Sequence, residues 1–307
     1  MVASQSDSAP LITVFGATGN MGGSTVTHLL ASDKPYRIRA ITRSPEQTKS
    51  KELALKGVEI VKGDFESESE LTEAIKGADY VFLVVNTWAV GPEKEKVYTE
   101  RALDIIKKEH VKMLYYSSLP AVKGPSKGKY TQVEHFDVKA ELAEHARSLG
   151  IPLVEVIPAA FFENNLTNPP KKQPNGTYVF AFPVDPSHNY QHFNCARDYG
   201  AFVRGAIESD VAAGGEVYAY SESMTFEEMA KQWGEATGHQ AAFFPAPREQ
   251  FAKWTNEDLT QMFEWISEYG YYGDRHLPGD SHKILKEPIQ SWREFCKETD
   301  WSKILKD

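Results

Sequence analysis

The chain has 307 residues, 41% of them hydrophobic and 25% charged, with a formal net charge of −9 and a pI near 5.6. That acidity excludes a broad basic nucleic-acid-binding surface, and the composition is that of a globular protein with ample material for a core. Two cysteines, Cys195 and Cys296, form neither a disulfide framework nor a metal cluster, and no apolar run reaches the ~18 residues of a spanning helix. A reducing, cytoplasmic setting without membrane attachment is therefore expected.

Residues 1–10, MVASQSDSAP, are small and polar, lack the basic and apolar regions of a signal peptide, and read as a disordered leader. Strands and helices then alternate. The apolar run from Leu11 enters a glycine-rich turn, and a helix follows from near Asn20. Strand patterns follow at 36–42, 58–62, 79–85, 111–116 and 152–157. Helical patterns at 46–56, 68–76, 93–108 and 132–149 separate them, three of these ending at Gly57, Gly77 and Gly150. This spacing predicts right-handed βαβ units and a Rossmann-type doubly wound parallel sheet of six strands across residues 11–157.

The texture changes after Pro158. Proline-rich loops at 168–174 and 183–187 flank a strand-like run at 177–182. Asp198 is expected to cap a helix over 199–207, and 216–221 to form a strand. Thr225 and Glu228 have the spacing of a capping box. Residues 158–307 read as a smaller α+β substrate-side domain, with an aromatic-rich segment from Trp254 to Tyr272 forming local core.

Gly16, Gly19 and Gly22 follow the first strand as G-x-x-G-x-x-G. Glycine permits the tight turn, the approach of a pyrophosphate to the backbone, and close seating of the helix on the strand. The helix start then offers free N–H groups and the positive end of a dipole. The NAD version of this site carries an acid at the end of the second strand, on the ribose hydroxyls. Here that strand ends Thr42-Arg43-Ser44, and a guanidinium at that position suits a 2′-phosphate, so NADP(H) is the expected cofactor. Asp64 and Phe65 follow the third strand, where they can contact an adenine or simply form the turn. Asn86 and Thr87 end the fourth strand and Ser117 and Ser118 the fifth, on the rim where ligands bind open α/β sheets.

Short-chain dehydrogenases place Tyr-x-x-x-Lys on the helix after the fifth strand, the spacing that puts both side chains on one face. Lys139 stands in such a helix, but His135 occupies the tyrosine position. Histidine can serve there as a general acid or as a packing and hydrogen-bonding residue. Glu155, Glu163, Asn164, His188, Tyr190 and His192 lie near the far end of the expected cofactor site, where such groups either do acid–base work or fix loops. No zinc-protease, paired C-x-x-C, Walker A or G-x-S-x-G motif is present, so no metal is expected.

GATGNMGG, TRSPEQ, GDFES, HFDVK and PAAFFENN, in this order, resemble the NmrA-like family of atypical short-chain dehydrogenases. The resemblance is close in the first half and looser in the second. It implies NADP(H) contacts from Gly16, Ala17, Thr18, Gly19, Asn20, Met21 and Gly22, and from Arg43, Ser44 and Gln47. Asp64, Phe65, Asn86, Thr87 and Lys139 would continue the site, and Phe161, Phe162, Glu163 and Asn164 would line the nicotinamide end. It also implies alternatives. Some members are NADPH/NADP sensors or regulators that act through protein partners, in the nucleus or cytoplasm. Related branches are reductases of small-molecule substrates that rely on the lysine. Fungal relatives tailor secondary metabolites, by redox or by non-redox acid–base chemistry on the cofactor-bound scaffold. A reductase of a small organic carbonyl or enone is the leading expectation, with Lys139 and His135 as its catalytic candidates.

Overall fold

The structure is a computed structural model that describes residues 1–273 and 281–305. The first half runs β1 (Leu11–Val14), α1 (Asn20–Leu30), β2 (Arg37–Thr42), α2 (Thr48–Ala54), β3 (Glu59–Lys62), α3 (Glu68–Ile75), β4 (Tyr80–Leu83), α4 (Thr87–Val90), α5 (Pro92–Lys108), β5 (Met113–Tyr116), α6 (Glu134–Ser148) and β6 (Leu153–Pro158). The second half runs β7 (Ala160–Phe161), α7 (Asn164–Thr167), β8 (Lys171–Lys172), β9 (Tyr178–Phe182), β10 (Tyr190–Phe193), α8 (Cys195–Glu208), β11 (Glu216–Ala219), β12 (Glu222–Met224), α9 (Phe226–Thr237), β13 (Ala241–Pro245), α10 (Arg248–Trp254), α11 (Glu257–Tyr269) and α12 (Trp292–Glu298).

The main sheet has seven strands in the order β11-β6-β5-β4-β1-β2-β3, every neighbouring pair parallel. Its central strands are apolar along their length because helices cover both faces, as all four residues of β1 being buried illustrates. The strand order reverses between β1 and β4, and the crevice at their carboxyl ends is where such sheets hold ligands.

Six of the seven strands are those the alternation predicts. The seventh, β11, comes from the second half and pairs with β6 from Glu216↔Glu155 to Ala219↔Pro158. The second half is thus built into the sheet. Helix α8 strengthens the union by lying directly on α1. Gly200 allows this, since a Cβ there would sit 2.2 Å from the carbonyl oxygen of Ser24. Ser24 Oγ accepts from Gly200 N–H at 2.9 Å and donates to the Arg197 carbonyl at 2.9 Å.

Two local expectations differ from the structure. The leader packs: Ala3 and Ala9 are buried, and the N–H groups of Ala3 and Ser4 donate to the carbonyls of Lys56 and Tyr36, both at 2.8 Å. These residues satisfy backbone groups at the turns entering β3 and β2, which composition alone does not reveal. Helix α8 starts at Cys195 because Asn194, not Asp198, caps it, accepting from Arg197 N–H at 3.0 Å. Asp198 is buried inside the helix and accepts from Gln290 N–H at 2.9 Å. The Thr225–Glu228 capping box forms as read.

Two small three-stranded sheets, β12-β10-β7 and β13-β9-β8, complete the second half. Aromatic side chains fill it: Trp233, Trp265 and Trp292 are fully buried, while Trp254 of the aromatic segment is exposed. His192 lies within this packing with Nδ1 3.0 Å from the Tyr190 carbonyl. Burial pushes it down to about 4.

Gly200→Ala should therefore cost roughly 2–3 kcal/mol in urea unfolding, because α1 and α8 must separate to admit a methyl group. His192 sets a pH window. The unfolded chain takes up this proton at ~6.5 and the folded chain only near 4, so stability falls as pH drops through that range, by about 3 kcal/mol in all. In His192→Gln, unfolding followed across that window should lose this slope.

Candidate functional site

The site is built outward from the turn after β1. Gly16 takes a positive φ of +65°, which turns the chain sharply out of the sheet. A Cβ at Gly22 would lie 2.3 Å from the Gly16 carbonyl oxygen, so only glycine lets α1 seat on that turn. Gly19 caps α1 without a side chain, and Gly16, Gly19 and Asn20 are exposed. The amino end of α1 therefore presents open backbone N–H groups, a surface shaped for a pyrophosphate. Ala17 is buried beneath the turn and Thr18 is half-buried, its carbonyl accepting from Lys49 Nζ at 3.3 Å. Met21 joins the turn to the end of β5, its Sδ accepting from Ser117 Oγ at 3.3 Å.

Next to this cradle, Arg43 extends from the end of β2. It is exposed and has no hydrogen bond or ion pair among the described residues. Ser44 N–H donates to Thr42 Oγ1 at 3.1 Å, its carbonyl accepts from Ser50 Oγ at 3.2 Å, and exposed Gln47 leads into α2. The Lys49 contact ties this segment to the glycine turn. Asp64 and Phe65 carry local structure as well. Asp64 Oδ1 accepts from Glu66 N–H at 3.0 Å, and the Phe65 ring stacks between Phe15 at 5.3 Å and Tyr98 at 5.8 Å.

At the carboxyl end of β4, exposed Asn86 caps α4 by accepting from Trp88 N–H at 3.1 Å. Thr87 and Lys139 are both buried and both donate to Glu95, a fully buried carboxylate on α5. Lys139 Nζ also donates to the Val85 carbonyl at 2.9 Å. Two of the three ammonium donors are thus engaged, leaving one without a partner among the described residues. No sequence pattern marks Glu95. It lies on a helix dense with charge, where a buried carboxylate looks like its solvated neighbours.

One turn before Lys139, His135 packs against the exposed Trp88, ring to ring at 4.7 Å. Its Nδ1 stands 2.5 Å from Asp258 Oδ1, a close contact without hydrogen-bond alignment. Asp258 belongs to α11, more than a hundred residues away, and nothing in the chain pattern marks it.

The 161–164 group divides. Phe162 is buried against Trp292 and Phe295, at 5.1 and 5.4 Å. Glu163 accepts the N–H groups of Cys195 and Ala196, at 3.1 and 2.6 Å, and so covers the amino end of α8. Phe161 is half-buried beside Phe193, and Asn164 is exposed. The other acid–base candidates are held by structure. Glu155 pairs with Arg147, the Tyr190 hydroxyl meets Ser267 Oγ at 2.8 Å, and His188 meets the Tyr190 ring edge to face at 5.4 Å. No helix among the described residues is long and apolar enough to cross a membrane.

The NmrA-like family pattern matches residues 8–296. The chain is 31% identical over 294 residues to the NmrA-like family domain-containing oxidoreductase ptmS of Penicillium ochrochloron, a match covering 88% of each chain. Its fold is similar to that of NmrA, a negative transcriptional regulator solved in complex with NADP, with a TM-score of 0.78, 18% identity and coverage of 96% of this chain and 97% of that one. It is similar too to an NADPH-dependent quinone oxidoreductase of Escherichia coli complexed with NADPH, with a TM-score of 0.75, 21% identity and coverage of 93% and 98%. With the family pattern spanning nearly its whole length, this chain belongs to the NmrA-like family.

Proposed function

We propose that this protein binds NADP(H) and reduces a small organic carbonyl or enone. The observation that carries the cofactor choice is Arg43, exposed and unpartnered among the described residues at the end of β2. An acid at that place would grip ribose hydroxyls, whereas a free guanidinium suits a 2′-phosphate. The glycine turn from Gly16 to Gly22 would hold the pyrophosphate, with Arg43, Ser44 and Gln47 at the 2′-phosphate. Asn86 and the remaining N–H of Lys139 would face the nicotinamide ribose, and Phe161 and Asn164 the nicotinamide end. When bound, NADPH supplies a hydride. His135, beside Lys139, is the proton source in this reading. Support comes from the oxidoreductase relative and from the NADP- and NADPH-bound structures of similar fold. The proposed setting is the cytoplasm.

A second reading has its own support. Glu95 and the Val85 carbonyl hold Lys139, which fixes the rim without any turnover. On that reading the protein senses the NADPH/NADP ratio and passes it to a protein partner. Steady NADPH oxidation with a panel of carbonyls and enones supports the reductase reading, and tight NADPH binding with no oxidation across the panel supports the sensor.

Arg43→Ala should weaken NADP(H) binding roughly 10- to 100-fold in calorimetry, the worth of a charge-assisted contact, and leave NAD(H) binding within about twofold. Equal loss of both would remove Arg43 from the 2′-phosphate. Lys139→Met should destabilise the fold by about 3–5 kcal/mol, because Glu95 is left buried and unpaired. Lys139→Met with Glu95→Leu should recover most of that loss in chemical unfolding. Activity lost in Lys139→Met alone is therefore to be read against its stability.

A further inference from the structure

Helix α11 lays one polar face along the segment that leads into α6. Gln261 Oε1 accepts the N–H groups of Thr131 and Gln132, at 2.9 and 3.0 Å. Glu268 accepts from the Tyr130 hydroxyl at 2.7 Å and pairs with Lys129. Asp258 Oδ2 accepts from Glu134 N–H at 3.0 Å. Helix α6 has no side-chain cap of its own at Val133, so Asp258 provides one from another helix.

That capping uses one carboxylate oxygen. The other, Oδ1, is turned to His135 and stands 2.5 Å from Nδ1. A clasp alone has no need of this second contact. The arrangement around the ring is also directional. Trp88 covers it from α4, and His135 Nε2 has no hydrogen-bond partner among the described residues. Lys139, one turn along α6, donates to Val85 at the end of β4, and Trp88 follows that same strand end three residues later. His135 and Lys139 thus lie one turn apart on α6, each against a residue that follows β4.

We propose that Asp258 is a positioning residue that holds His135 with its proton on Nδ1, so that Nε2 delivers a proton to the substrate oxygen beside Trp88. This rests on the reductase reading above. A carboxylate beside Nδ1 fixes the imidazole tautomer and steadies the ring as its charge changes. In the balanced step the carbonyl carbon gains a hydride from NADPH and the carbonyl oxygen gains the Nε2 proton of the imidazolium. The C=O π bond breaks, C–H and O–H bonds form, and an alcohol and NADP⁺ result. Neutral His135 is left with its proton on Nδ1, the nitrogen 2.5 Å from Asp258 Oδ1, and recovers its Nε2 proton from water.

The test uses the full chain in two measurements. Nitrogen-15 NMR of the histidine-labelled protein without cofactor, with His135 assigned through His135→Gln, reads the neutral tautomer. It should be Nδ1–H in the unaltered protein and Nε2–H in Asp258→Ala. Steady-state kinetics should show kcat reduced about 100-fold in Asp258→Ala with KM for NADPH within about twofold, and partial recovery in Asp258→Glu. Gln261→Ala, which loosens the same clasp without touching the ring, should lower thermal stability and leave both tautomer and kcat in place. If Asp258→Ala does not fold, Asp258→Asn, which keeps an acceptor for Glu134 N–H, is read by the same kcat change. An unchanged tautomer, or a kcat within about twofold of the original, would overturn the proposal and leave Asp258 as a clasp only. NADPH binding without oxidation by the unaltered protein would overturn the reductase reading, and this inference with it.

Discussion

Helix α1 is held by backbone contact on two sides. Gly22 seats it on the turn at Gly16, and Gly200 brings the backbone of α8 against Ser24. A methyl group at either place would meet a carbonyl oxygen at 2.3 or 2.2 Å, and no side-chain rearrangement relieves a clash with main chain. The first contact aims the open amino end of α1 across the glycine turn. The second ties that turn to the second half of the chain. The two halves also share the seven-stranded sheet, through the parallel pairing of β11 with β6.

The rim of the crevice is organised by buried charge. Glu95 gathers Thr87 from α4 and Lys139 from α6 around the end of β4. A buried carboxylate is tolerated because hydrogen bonds and a cation surround it, and removing one partner exposes the cost of the rest. Asp258 acts similarly one turn away, satisfying the start of α6 and facing His135. Lys139 and His135 are therefore positioned by carboxylates from different helices, α5 and α11. The altered dyad is an organised arrangement, with the same helical spacing as Tyr-x-x-x-Lys and a different means of support.

Much of this was legible in the chain. Strands buried on both faces, such as β4, read as apolar runs, and glycine punctuates the turns because several of them need positive φ. The glycine spacing after β1 marks the tight turn at Gly16 and the close seating of α1 at Gly22. What stayed hidden was long-range partnership. Glu95, fully buried, and Asp258, half-buried, sit among charged residues that are solvated, and sequence pattern does not mark which carboxylate has a partner across the fold. The same ambiguity works in reverse for Glu155, Tyr190 and His192, which look reactive by type but are held by Arg147, Ser267 and the Tyr190 carbonyl. Asn194 takes the cap expected of Asp198, its side chain accepting from Arg197 N–H, while Asp198 accepts from Gln290 N–H inside the helix.

The central claim is that the cradle at Gly16–Gly22, with Arg43 beside it, is made for a cofactor bearing a 2′-phosphate. The most direct measurement compares NADPH and NADH affinities of the unaltered protein side by side in calorimetry at one ionic strength. NADPH should bind tighter by at least about tenfold, the worth of one charge-assisted contact. Equal affinities, or tighter NADH, would contradict it.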